Sequence, residues 1–159
     1  PDGTPVQHGT TLALGDGSGA ACPCNNFGQA GAGCANSTGF GATLRAFGST
    51  SVASDTLYFK GDHLPPRKVT LLLSSPSSQA GGLGIPVSDG LLGCGAPAKR
   101  LAYNATCDDG SSWWGSGMAP FETWQPGDTR YFQVWYRDLQ GPCGGASNFS
   151  PAVAISFTP

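Results

Sequence analysis

Few side chains in this sequence can do chemistry. Its 159 residues include 8 Lys or Arg and 10 Asp or Glu, with two histidines and six cysteines. Nucleophilic catalysis needs a hydroxyl or thiol beside a base, and His is the usual base. His8 lies in the N-terminal segment, and His63 precedes Pro65-Pro66 in a turn, where a solvated loop histidine is the simpler reading. No Gly-x-Ser-x-Gly elbow occurs. Glycoside hydrolysis needs two carboxylates flanking a sugar, but Glu122 is the sole Glu and most aspartates sit beside glycine as turn formers. Asp16-Gly17 and Asp108-Asp109-Gly110 lack the ligand spacing of a calcium loop. The glycines at 15–19 and 28–33 lack the lysine and strand–helix setting of a phosphate loop. No catalytic residue, cofactor or resident metal is therefore expected.

The cysteines stand at 22, 24, 34, 94, 107 and 143. An even number in a chain poor in Lys and Glu suits an oxidising compartment and three bridges. Zinc is disfavoured because Cys22-Pro23-Cys24 has one intervening residue. Cys22 and Cys24 are too close to bridge each other easily, so each should find a different partner. Cys94–Cys143 is the favoured long-range bridge, since each closes a loop beside a core strand. Together with the cysteines, a chain beginning at Pro1 reads as a processed, exported protein or as a sequence without its leader. Asn36, Asn104 and Asn148 each open an N-x-S/T triplet, an acceptor for glycosylation where exposed; Pro151 weakens the last.

Two further groups of residues could recognise a partner. Trp113 and Trp114, in the loop-like run Gly110-Ser-Ser-Trp-Trp-Gly-Ser-Gly117, could stack on sugar rings, with Trp124 as a third platform member. Adjacent strand residues face opposite ways, so at most one of the pair joins a flat platform; the alternative is packing, one Trp capping the sandwich end and its neighbour covering a bridge. The other group is an isolated N-terminal strand. Val6, Thr10, Leu12 and Leu14 could add to a neighbouring subunit's sheet, and a head-to-tail contact that does not close makes a filament. Pairing of that strand within its own domain is the alternative.

The elements that must position these residues are short. Alternating apolar runs at 10–14, 41–47, 56–60, 68–74, 99–106, 121–124, 129–138 and 152–158 read as strands. Gly61-Asp62, Asp89-Gly90, Asp109-Gly110 and Pro126-Gly127-Asp128 punctuate them. In 129–138 both faces are apolar, which places Trp135 in the core. The 25 Gly and 13 Pro would suit a disordered chain, but 4 Trp, 8 Phe and 4 Tyr belong to a packed one. The apolar runs are far shorter than the roughly 18 residues of a membrane helix. A net charge of -2 without a basic cluster argues against nucleic acid.

The stretch Cys22-Pro-Cys-Asn-Asn-Phe-Gly-Gln-Ala-Gly-Ala-Gly-Cys-Ala-Asn-Ser37, followed by Gly41-Ala-Thr-Leu44, carries the most specific pattern. With Ser88-Asp-Gly-Leu-Leu-Gly-Cys94 and Tyr131-Phe-Gln-Val-Trp-Tyr-Arg-Asp138, it resembles an uncharacterised family of secreted Cys/Gly-rich β-domain proteins of environmental bacteria. The likeness covers about residues 22–158. It implies secretion and a β-rich domain and no particular reaction; Cys107 is the least typical of its cysteines.

The sequence thus predicts an all-β, disulfide-stabilised antiparallel β-sandwich of jelly-roll type with about eight short strands. One domain is expected: an N-terminal extension (1–14), a Gly/Cys-rich segment (15–40) held by bridges, and the sandwich proper (41–159). The expected function is that of a non-enzymatic extracellular structural protein, a filament or coat subunit whose partners are copies of itself. A carbohydrate-binding module is the principal rival, and an accessory domain of a larger exported enzyme the lesser one.

Overall fold

A computed structural model describes residues 4–159 and shows an all-β antiparallel sandwich. Its strands are β1 (Thr10–Leu12), β2 (Thr43–Phe47), β3 (Tyr58–Asp62), β4 (Val69–Ser75), β5 (Ile85–Val87), β6 (Gly90–Leu92), β7 (Lys99–Ala105), β8 (Ser112–Gly115), β9 (Thr129–Arg137) and β10 (Ser147–Ser156). A five-stranded sheet runs β1-β10-β9-β4-β7, a three-stranded sheet β2-β3-β8, and β5-β6 form a separate hairpin.

Alternation decides which residues enter the core. Phe132, Val134 and Tyr136 of β9 and Val153 and Ile155 of β10 face Leu44, Ala46, Phe59 and Trp114 of the smaller sheet, all buried. Phe59 and Phe132 meet across the layers with ring centroids 4.6 Å apart. Trp114 also ties the sheets together, because its Nε1–H donates to Thr70 Oγ1 at 3.1 Å. A buried indole needs such a partner.

β10 runs ten residues and carries Pro151 inside it, where a strand starting at 152 was expected. The β9–β10 register shifts between Phe149 and Ala152, so Pro151 sits in a bulge and no ladder bond is asked of it. Opposite the bulge, the Val134 N–H donates to Ser150 Oγ at 3.0 Å. The expected strand at 121–124 is instead a turn, with the Phe121 and Glu122 N–H groups donating to Met118 O. The two-Trp run expected in a loop is strand β8. Trp135, expected in the core, lies half-buried on the outer side of β9, under the Arg137 guanidinium.

The N-terminal strand completes the sandwich within its own chain. His8 bridges Ala46 of β2, and Thr10–Leu12 then pair with Ala152–Ala154 of β10, so the chain crosses the seam between the sheets. Gly9 makes the crossing at φ +84, where a Cβ would lie 2.5 Å from Ala154 O. At the opposite seam β7 meets β8: Asn104 Nδ2 donates to Trp113 O at 2.6 Å.

Two disulfides form, Cys22–Cys34 and Cys24–Cys143. Cys22 and Cys24 thus do take different partners. The expected third bridge and the Cys94–Cys143 pairing are corrected: Cys94 and Cys107 are free thiols. Cys94 is buried, with its N–H donating to Gln133 Oε1 at 3.2 Å and its Sγ 3.3 Å from Tyr131 O, whereas the chain around Cys143 is drawn to Asp89. Cys107 is exposed in the β7–β8 loop. Among the described residues no helix is long and apolar enough to cross a membrane.

Candidate functional site

The outer face of the three-stranded sheet gathers aromatic and charged side chains. Register sets Arg45 of β2 beside Lys60 of β3 and Trp113 of β8, and places Phe47 beside Tyr58 in the next row. Inward neighbours Ala46, Phe59 and Trp114 bury the other side of the same strands, so the outward set is fixed by alternation. Trp113 is 44% exposed. Lys60 Nζ lies 5.7 Å from its ring centroid, and the Phe47 and Tyr58 rings stack at 5.6 Å. Pro5 and Gln7 border the open trough over this face.

Asp62 organises the cations. Its Oδ2 accepts from Arg45 Nη2 at 2.6 Å, and its Oδ1 lies 3.1 Å from Lys60 Nζ. Partial burial pushes the Asp62 carboxyl up, but the hydrogen bonds and charges of Arg45 and Lys60 outweigh it and hold it below the ordinary carboxylate range. The face therefore presents an aromatic surface beside a fixed row of donors and acceptors.

Of the three tryptophans that were candidates for glycan stacking, only Trp113 is exposed. Trp114 is buried at 2% exposure between the sheets. Trp124 is also buried, its ring stacked on Phe157 with centroids 4.5 Å apart. Both follow the packing alternative: large apolar rings on a sandwich's inner side are worth more buried than displayed. The contribution of Phe47, Tyr58 and Arg45 was missed. Their alternation in β2 and β3 was the available signal, but three strands had to be aligned before it became a surface.

The sequons divide similarly. Asn36 is buried, donating to His63 O at 2.8 Å and Tyr136 Oη at 3.2 Å. Asn148 is buried too, donating to Cys34 O and Ala35 O. Neither side-chain amide faces solvent in this fold. Asn104 is exposed on β7. Of the expected subunit contacts, Val6 is exposed, Thr10 and Leu12 lie in β1, and Leu14 is half-buried beyond it.

The three sequence stretches singled out by their pattern meet at one buried polar hub around Cys24–Cys143. Asp89 accepts from Cys143 N at 3.3 Å and Gly145 N at 2.6 Å, and its carbonyl accepts from Asn26 Nδ2 at 2.8 Å. Asp138 Oδ2 accepts from Ser37 N at 2.8 Å. Burial, then the nearby Asp138 and Asp89, push the Tyr136 phenol up against the opposing hydrogen bond from Asn36. These side chains serve backbone groups of loops that have no sheet to join. His8 and His63 are far apart in role: His8 Nε2 meets Gly48 O at 2.8 Å, and exposed His63 stacks on Phe40. Among the described residues no three His, Cys, Asp or Glu side chains gather as a metal-binding set. Comparison with protein-family models, curated proteins and solved structures finds no match.

Proposed function

We propose that the protein is a secreted, non-enzymatic module that binds polysaccharide on the outer face of its three-stranded sheet, with Trp113 as the stacking ring. The observation that carries this reading is the exposure of Trp113 in one row with Lys60 and Arg45, beside the Phe47–Tyr58 pair. A sugar offers C–H faces to an aromatic ring and hydroxyls around its rim. The Arg45–Asp62–Lys60 row supplies donors and an acceptor at the matching edge. Two disulfides and the resemblance of the Cys/Gly-rich stretch to exported proteins support an extracellular setting. Affinity electrophoresis through gels cast with different polysaccharides tests the proposal. Retardation by at least one is expected, and Trp113→Ala should weaken binding about tenfold, the size of one lost stacking contact plus its buried area. Unretarded migration in every gel, or retardation indifferent to Trp113→Ala, would count against it.

A filament assembled by strand exchange is the second reading, and β1 favours it. The segment that closes the seam has three ladder residues and keeps Thr10 exposed. A neighbour's copy of the same segment fits the same place between β2 and β10. Exchange predicts polymers in negative-stain images of the full chain.

A further inference from the structure

The outer face of the five-stranded sheet carries an apolar surface of its own. Register aligns Tyr103 of β7, Leu71 of β4, Trp135 of β9 and Phe149 of β10 in one row across four strands. Their neighbours Leu72, Val134 and Tyr136 are buried in the core, so alternation turns this row outward. The β4–β7 register shifts between Leu72 and Leu73, and the extra residue in β7 lets Leu101 stay in the core while Arg100 and Tyr103 both reach the outer side. With Leu73, and with Leu92 of the β5–β6 hairpin, these residues line an open groove of about 470 Å³, a size that suits a small ligand. Tyr103 is 67% exposed, and Trp135 and Leu73 are half-buried, so they offer the contact area; Leu71 and Phe149 are nearly covered and close the floor.

The charges around this groove have one sign. Arg100 is the charged residue of its lining, and Arg137 holds its guanidinium 5.4 Å from the Trp135 ring centroid. Among the described residues neither arginine lies within ion-pair distance of a carboxylate, whereas Arg45, Lys60, Arg67, Lys99 and Arg130 all do. In a chain of net charge -2, two uncompensated guanidiniums beside an apolar row are a local feature. A second copy docked on the same face would bring arginine to arginine with no carboxylate between them. A neutral sugar would meet mostly aliphatic and aromatic carbon. An apolar body with one anionic head satisfies both parts. The row spans about 14 Å, three inter-strand spacings, room for a medium-length acyl chain. A guanidinium presents paired N–H donors that match a carboxylate.

We infer that this groove binds a soluble anionic amphiphile, a carboxylate with a medium-length acyl chain, the chain lying along the Leu71–Trp135 row and the carboxylate on Arg100. The site is independent of the Trp113 face. The test is a proton–nitrogen NMR titration of the full chain with octanoate, following the Trp135 indole and the Tyr103 amide. Octanol supplies the chain without the charge, acetate the charge without the chain, and methyl α-glucoside a neutral sugar. Octanoate should give a saturable shift at both signals, octanol should bind about tenfold more weakly, and acetate and the glucoside should move neither. Arg100→Gln, at an exposed position, should weaken octanoate about tenfold and leave octanol unchanged, as for one lost bond to a charged group. Tyr103→Ser should weaken both about fivefold through lost apolar contact. Octanol binding as tightly as octanoate, an equal response to the glucoside, or indifference to both variants would overturn the inference. So would octanoate shifts confined to the Trp113 face. Signals of this row that move on simple dilution of the protein would show a second copy covering the groove, and would overturn it too.

Discussion

The two free thiols show how one residue type takes opposite characters from its surroundings. Burial pushes the Cys94 thiol up to about 12, so its thiolate is scarce at neutral pH. Cys107 is exposed. Alkylation of the native, unreduced protein should therefore modify one thiol, at Cys107, and a second only after denaturation. Mass spectrometry of the tryptic peptides reads this directly; rapid native labelling of Cys94 would contradict its placement. Asp62 works in the other sense. Its carboxyl is held down by Arg45 and Lys60, so the folded state binds this proton less readily than the unfolded chain. The stabilisation is present above the unfolded value of about 4 and fades as pH falls through the lower folded value. Asp62→Asn should then flatten the loss of stability below about pH 4 in acid-unfolding curves, with its own cost visible at pH 7. An unchanged acid limb would mean that the cluster stores no such linkage.

Among the elements, β1 is decisive, since it closes the seam that β2 and β10 would otherwise leave open. Removing residues 1–14 bares the backbone edge of β10 at Ala152–Ala154, and an unpaired edge is both less stable and prone to association. The truncated chain should melt about 5–10 °C lower by calorimetry, the response of a domain this size to a few kcal/mol. If β1 acts in cis, full-length protein sizes as a monomer and only the truncation is destabilised. If strands are exchanged, the full chain is polymeric and truncation abolishes the polymers. A truncated protein as stable and as assembled as the full chain would remove β1 from both readings.

For the whole molecule, the covalent links matter most where secondary structure is sparse. Residues 15–41 have no strand of their own, and glycines there pack backbone on backbone: Cβ atoms on Gly28 and Gly41 would both collide with Gly33 O. Cys24–Cys143 spans 119 residues and Cys22–Cys34 spans 12. Restriction of the unfolded chain makes the first worth about 5 kcal/mol and the second about 3 kcal/mol. Cys143→Ala and Cys24→Ala should each lower urea-unfolding stability by the larger amount, and the double variant by no more. Clearly additive losses would show that the two residues act separately.

How much was legible from sequence differs by feature. Strand class followed from alternation: β2, β4, β7 and β9 lie within about two residues of the expected runs. The hairpin β5–β6 did not, because strands of three residues carry too little pattern, and the Asp89-Gly90 signal marked only a turn. Spacing also indicated that Cys22 and Cys24 do not easily serve each other, and composition that the Gly-rich stretch needed bridges. Pairing was beyond it. Which cysteine meets Cys24 depends on where the Asp89 carboxylate draws the 143–145 loop, a contact between residues more than fifty positions apart. The tryptophans make the same point. Sequence identified Trp113, Trp114 and Trp124 as the side chains with most area to bury or display, and alternation separated Trp113 from Trp114. Only the packing of the second sheet decided that Trp113 faces outward beside Lys60, while Trp124 lies buried against Phe157. Local periodicity sets which neighbours share a face; which face is covered depends on a partner layer distant in sequence.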